Sequence, residues 1–229
     1  MASTNGLKPD LPPPSPYQHK SAAGVAKWYI RFAWLVIAVW VFSVILTVVN
    51  VVSAFGMGGR NSAAVLSTTL LVVFVFATVA FLATVFILGM VWVYRVNKNS
   101  WVLRGSNMNF RPGWSVGWWF IPIANIVQPY RIICELWQAN TAANDAADWQ
   151  TTAVSPLVLL WWVLAIASAV AGRIVGFLDE RAYTDSDLFT VDMISIASLL
   201  IGIVMWYLSI RLVREIQAGQ NRLATAAVF

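Results

Sequence analysis

The stretch RPGWSVGWWFIPIANIVQPYRIICELWQAN, Arg111 to Asn140, decides how the chain is read. Its first half is as apolar as a membrane span, yet Pro112, Gly113, Gly117, Pro122 and Pro129 interrupt it. Each proline removes one helical N–H and clashes with the carbonyl four residues earlier. Between Pro122 and Pro129 there is room for fewer than two turns. An unpaired backbone group in hydrocarbon costs several kcal/mol, so a broken segment facing lipid is not viable. The stretch must be buried in protein, line a wet cavity, or lie at the membrane interface. The clustered Trp114, Trp118 and Trp119 favour the interface, where indole keeps its ring in acyl chains and its N–H in water.

After Pro129 the pattern changes. Ile132, Ile133, Leu136 and Trp137 recur at helical spacing, with Arg131 and Glu135 placed to pair at i,i+4 on another face. This predicts a short amphipathic helix lying on the cytoplasmic side.

Composition sets the context. The chain has 229 residues, of which 59% are hydrophobic and 11% charged, and its mean hydropathy is +0.71. A soluble domain carries about 25% charged residues, so lipid must cover the excess apolar surface. The net charge of +5 does not point to nucleic acid, because the basic residues lie at the ends of apolar runs and form no patch. The single cysteine, Cys134, excludes an internal disulfide and a Cys-rich metal site.

The apolar runs predict an all-α polytopic membrane protein with four transmembrane helices, over about 28–55, 64–94, 156–178 and 189–212. Together they make one transmembrane domain over 28–218, with a re-entrant or interfacial Trp/Pro-rich module at 95–155. Pro156 suits the first turn of its helix, where a missing N–H costs nothing. Residues 1–27, with the run KPDLPPPSPY, read as a disordered arm, and 219–229 as a short polar tail. With four spans and the N-terminus inside, twelve of the 15 Lys and Arg residues fall on the inner side, leaving Arg60, Arg173 and Arg181 outside. A fifth span would move Arg131, Arg211, Arg214 and Arg222 outside, against the positive-inside rule. The expected orientation therefore has both termini cytoplasmic.

The central stretch and the preceding WVYRVNKNSWVLRG resemble the signature of a bacterial, mainly actinobacterial, multi-pass membrane family known only as a domain of unknown function. The matching positions are Trp92, Tyr94, Arg95, Asn97, Pro112, Gly113, Trp114, Gly117, Trp118, Trp119, Phe120, Pro122, Asn125, Pro129, Glu135 and Trp137. The resemblance covers about Trp28 to Leu212. It implies an inner-membrane bundle and supplies no catalytic residue. Arg95, Asn97, Trp114, Trp118, Trp119, Pro122, Asn125, Pro129, Glu135 and Trp137 are the candidate functional motif.

Enzyme chemistry finds few residues to work with. A zinc protease needs two His one turn apart plus a carboxylate, and His19 is the sole histidine. Haem ligation would fall to a Met such as Met205, a residue more often used in packing. An aspartyl dyad needs two facing Asp, and Asp192 alone approaches a span interior. No catalytic residue, cofactor or metal is expected. Arg173 and Asp192 lie at comparable depth in the third and fourth spans and are a candidate intramembrane ion pair. Arg95 and Glu135 are a second candidate pair. The small residues Ser168, Gly172 and Gly176, with Ser195, Ser198 and Gly202, predict close packing of those two spans. On that basis Gly172→Leu should be destabilising, although a subunit interface would use the same stripe. The expected role is a non-enzymatic scaffold or accessory subunit that binds a membrane-protein partner or lipid. The alternative is a homo-oligomeric channel or small transporter whose 112–129 segment lines the pore.

Overall fold

The computed structural model describes residues 15–56, 68–104, 107–143 and 148–227. It is all-helical among these residues. Four long helices, α1 (Ala23–Gly56), α2 (Thr68–Leu103), α5 (Pro156–Asp179) and α6 (Asp185–Ala226), are long and apolar enough to cross a membrane. Two shorter helices, α3 (Pro112–Gly117) and α4 (Ala124–Thr141), and a 3-10 turn at Trp149–Thr151 lie between α2 and α5. The N-terminal half of the proline-rich arm and the expected start of the second span lie outside the described residues.

The chain divides into two compact units. The apolar unit comprises Ala23–Val91 and Ser155–Glu215. Its surface carries Phe42, Ile45, Phe76, Ile87, Leu159, Phe177 and Leu200, all exposed. Such surface suits lipid and does not suit water. Inside the unit, the Tyr29 hydroxyl and Ser209 Oγ share a short hydrogen bond between α1 and α6. Ser155 Oγ accepts the Leu157 N–H at 3.3 Å, with Pro156 as the first helical residue. At the start of α6, Thr184 and Asp187 bond each other reciprocally, Asp187 N–H to Thr184 Oγ1 at 3.1 Å and Thr184 N–H to Asp187 Oδ2 at 3.0 Å. This closes two backbone donors that would otherwise be orphaned.

Helix packing in this unit departs from the small-residue expectation. A Cβ built on Gly172 or Gly176 meets nothing within 4 Å. Both glycines are exposed, so neither meets another helix among the described residues, and Gly172→Leu has nothing among them to displace. Gly202 does accept a close neighbour, but on α1: a Cβ there would lie 1.6 Å from Trp40 Cζ3. Gly202→Ala must expel that ring toward the unit's surface, and is expected to cost about 1–3 kcal/mol as overpacking does. A thermal melt in detergent reads this, and an unshifted transition would show that Trp40 does not depend on Gly202. Arg173 is exposed on α5. No ion pair between it and Asp192 is seen among the described residues, where Arg181–Glu180 and Arg211–Glu215 do pair.

The second unit holds, of the described residues, those within 1–22, 92–154 and 216–229. Its limits correct three expectations. Residues 15–22 are ordered against this unit and α1 begins at Ala23, so the arm is not disordered throughout 1–27. The helix of the second span continues past the basic Arg95 and Lys98 to Leu103, and that of the fourth span continues to Ala226. Residues 219–226 are thus the end of a helix with Gly219, Gln220 and Leu223 buried. Both extensions have the same cause: beyond the apolar run, each helix still buries one face in this unit.

Candidate functional site: a buried amide network and an apolar turn

The helix ends that build the second unit are rich in amides, and these are buried. Asn97, Asn99, Ser100, Asn140, Gln217 and Gln220 all have 7% exposure or less. Buried amides are tolerated where they bond one another. Gln220 of α6 is the hub. Its Oε1 accepts from Asn99 Nδ2 at 3.0 Å, and its Nε2 donates to the Val96 carbonyl at 3.1 Å and to Asn140 Oδ1 at 3.2 Å. Asn140 Nδ2 donates in turn to Ser100 Oγ at 3.0 Å and to the Leu136 carbonyl at 2.7 Å. Trp92 Nε1 donates to Gln217 Oε1 at 3.2 Å. Helices α2, α4 and α6 are therefore joined by side chains that carry no charge.

The network also holds the N-terminal arm. Asn99 Oδ1 accepts the Lys20 N–H at 2.9 Å, and Asn99 Nδ2 donates to the Lys20 carbonyl at 2.9 Å. An amide matches a backbone peptide with one donor and one acceptor, which is why a single Asn can hold an extended strand of chain. Tyr17 adds an edge-on contact with Trp101 at 6.0 Å, and the Lys98 ammonium lies 5.7 Å from the Tyr17 ring centre.

Helix α4 bears the apolar face that its sequence period predicts. Ile132, Ile133, Leu136 and Trp137 are all buried. They are buried in protein, however, so this face is not what a membrane surface would meet. Glu135 is buried as well, and it pairs with neither Arg131 nor Arg95. Its carboxylate accepts the backbone N–H groups of Asn109 (a short bond) and Phe110 (3.2 Å), pinning the loop ahead of α3. Trp101 Nε1 holds the same loop through the Phe110 carbonyl at 2.9 Å. Arg104 closes the other end of α4: its guanidinium donates to the carbonyls of Ala139, Ala142 and Ala143 at 2.8, 3.1 and 2.9 Å. A cation on the last carbonyls of a helix also suits the helix dipole.

Burial pushes the Glu135 carboxyl up from the ordinary carboxylate range, and the Asn109 and Phe110 backbone donors partly offset this. A carboxyl whose folded value is raised contributes stability that is full below its unfolded value. That contribution is lost as pH rises through the folded value. Acidifying from neutrality into the carboxylate range should therefore stabilise the unit through this residue. Glu135→Gln, which cannot ionise, should flatten the slope. Melts of the two proteins at a series of pH values check this, and parallel profiles would contradict it.

The remaining motif residues cluster on a turn. Trp114 on α3 stacks on Trp118 with centroids 5.1 Å apart. Between α3 and α4 the chain makes a γ-turn: the Ala124 N–H bonds the Pro122 carbonyl at 2.7 Å around Ile123 at φ 68°, ψ −51°. A β-branched residue at positive φ is strained by roughly 1–3 kcal/mol. Pro129 does not interrupt α4. It lies inside α4, near its start, where its missing N–H leaves only the carbonyl of Asn125, an exposed residue, without its helical partner. Pro122 and Asn125 are both exposed. So are Trp114, Phe120, Ile123, Ile126 and Val127, at 53%, 65%, 83%, 53% and 51%.

The structure thus divides the candidate motif. Glu135, Trp137 and Pro129 belong to the core, while Trp114, Trp118, Trp119, Pro122 and Asn125 lie on or beside the turn. Arg95 is half-buried. Asn97 is fully buried, with no hydrogen-bond partner for either amide atom among the described residues. Sequence reasoning missed Asn99, Ser100, Asn140, Gln217 and Gln220. The available signal was the run of uncharged amides at three helix ends, NKNS, QAN and IQAGQN. Among the described residues no three His, Cys, Asp or Glu side chains gather as a metal site would require. No curated protein and no solved structure matches the chain. Residues 57–218 match the family described as a domain of unknown function (DUF4328), and the chain belongs to that family.

Proposed function

We propose that the chain is a non-enzymatic component of a bacterial inner membrane, a scaffold or accessory subunit that binds a protein partner or lipid. The second unit and both termini lie on the cytoplasmic side. One observation carries this reading. The interior polar groups Asn99, Ser100, Asn140, Gln220 and Glu135 are engaged in holding helices and loops. The outward face of residues 114–127, by contrast, is apolar apart from Asn125. A hydrogen-bonded polar core at one end of α4 and an exposed apolar surface at the other form an arrangement for presenting that surface. The distribution of basic residues supports the orientation.

Reconstitution of the purified chain tests the reading. Proteoliposomes should hold gradients of potassium, chloride and protons as tightly as protein-free vesicles. In a Cys134→Ser background, a cysteine at Ser186 should react with an impermeant thiol reagent on intact cells, and one at Thr225 should not. An ion leak abolished by Asn125→Leu would replace the scaffold with the homo-oligomeric channel. Labelling at Thr225 would overturn the orientation.

A further inference from the structure

We propose that the turn from Phe120 to Val127 is a lipid anchor, inserted among phospholipid acyl chains, with Arg111 and Arg131 at the level of the phosphates. The inference deepens the lipid-binding part of the proposed function and rests on it. The γ-turn at Ile123 is the starting observation. Its backbone, at φ 68°, favours glycine, yet the position holds a β-branched residue that is 83% exposed. Neither the local conformation nor packing within the chain accounts for an isoleucine there. Its side chain is explained by an apolar surrounding outside the protein.

Three further features select lipid as that surrounding. The first is composition by level. Phe120, Ile121, Ile123, Ile126 and Val127 are exposed on the turn, with Asn125 its one exposed polar side chain, the Trp114–Trp118 stack stands beside it, and Arg111 and Arg131 are exposed on its flanks. Aliphatic tip, indole shoulder and basic rim follow the order of chemistries through a bilayer interface.

The second feature is the backbone. A segment entering hydrocarbon must bond its own N–H groups. Those of Trp118, Trp119, Phe120, Ala124, Asn125 and Ile126 bond carbonyls of Trp114, Val116, Gly117, Pro122, Ile121 and Ile123, which leaves only those of Ile121 and Ile123 without a backbone carbonyl in the turn. Pro122 has no N–H to bond. The proline that argues against a span thus also removes a donor from a turn that enters lipid. The third feature is availability: four helices of the chain are built for a bilayer, so lipid is at hand wherever this protein resides.

Site-directed spin labelling of the full chain in phospholipid nanodiscs tests the anchor. In the Cys134→Ser background, single labels are placed at Ile123 and Val127. Phe76, exposed on α2, is the lipid reference and Gln18, exposed on the arm, is the water reference. Labels at 123 and 127 should collide with oxygen as the Phe76 label does. Their collision with a water-soluble nickel chelate should fall at least about fivefold below that of the Gln18 label, as for a side chain below the headgroups. A nickel value equal to that at Gln18 would place the turn in water and overturn the proposal. Low collision with both agents would mean that a second copy of the chain covers the turn, which also overturns it. Ile123→Gly, which relaxes the backbone while removing the side chain, should raise nickel access at Val127 about twofold or more. Unchanged access would show that Ile123 does not hold the turn in lipid. These readings do not depend on ion tightness or on which side Thr225 lies, so the anchor and the scaffold can fail separately.

Discussion

Gly219→Ala is expected to destabilise the polar-cored unit by about 3 kcal/mol, at the upper end of what overpacking usually costs. The Cβ would stand 2.0 Å from the Asn140 carbonyl oxygen and 2.8 Å from its carbonyl carbon. These are backbone atoms, so no side-chain rotation relieves the clash, and either α4 or α6 must withdraw. Withdrawal is opposed at both helices. Arg104 clamps the C-terminal carbonyls of α4, beginning at Ala139, and Gln220 of α6 bonds the side chain of Asn140 itself. Displacing the carbonyl of Asn140 therefore also loosens the network that its amide feeds. The neighbouring Ala218 is exposed, and Ala218→Leu is the matched control that should leave stability within about 0.5 kcal/mol. Thermal melts in detergent, followed by the fluorescence of the unit's buried indoles Trp92, Trp137 and Trp149, distinguish the two. If Gly219→Ala and Ala218→Leu melt alike, α4 and α6 are not pressed together at this point.

The second large effect is expected at Gln220. Gln220→Leu nearly preserves volume and removes one acceptor and two donated bonds. It deprives Asn140 Oδ1 and the Val96 carbonyl of the Gln220 amide, and Asn99 Nδ2 of one of its two acceptors. A buried polar group left unsatisfied costs about 1–3 kcal/mol. Asn99 Nδ2 still has Lys20 and the Val96 carbonyl still accepts from Ser100, so the loss should centre on Asn140 and total about 2–4 kcal/mol. Gln220→Glu should do at least as badly, because it sets carboxylate oxygen against two acceptors. Hydrogen exchange should show the α4 amides around Asn140 losing protection in both variants. Retained protection with an unchanged melt would mean that the network adds no net stability. The Lys20–Asn99 pair survives either change in principle, so continued resistance of Lys20 to protease would localise the damage to the helix junction.

The sequence by itself determined the class of fold. An apolar run long enough for hydrocarbon can satisfy its backbone there only as a helix, and four such runs yielded four such helices. Their lower limits of length were legible too, as was the apolar face of α4, because Ile132, Ile133, Leu136 and Trp137 follow the helical period whatever they pack against. The interruption around Pro122 was equally local in origin.

What only the tertiary structure decided is which polar and small residues meet. Asn99 and Gln220 are 121 positions apart and Asn140 and Gln220 are 80 apart, and no period along the chain relates them. The same holds for Gly219 against Asn140 and Gly202 against Trp40. Glu135 is placed by sequence to reach Arg131, yet it turns inward to two backbone donors brought beside it by the loop at 107–111. Pairing by charge or by small-residue spacing treats each helix as though its neighbours were known. A hydrogen bond is fixed within a few tenths of an ångström by where two backbones cross, and that crossing is a property of the whole packed unit.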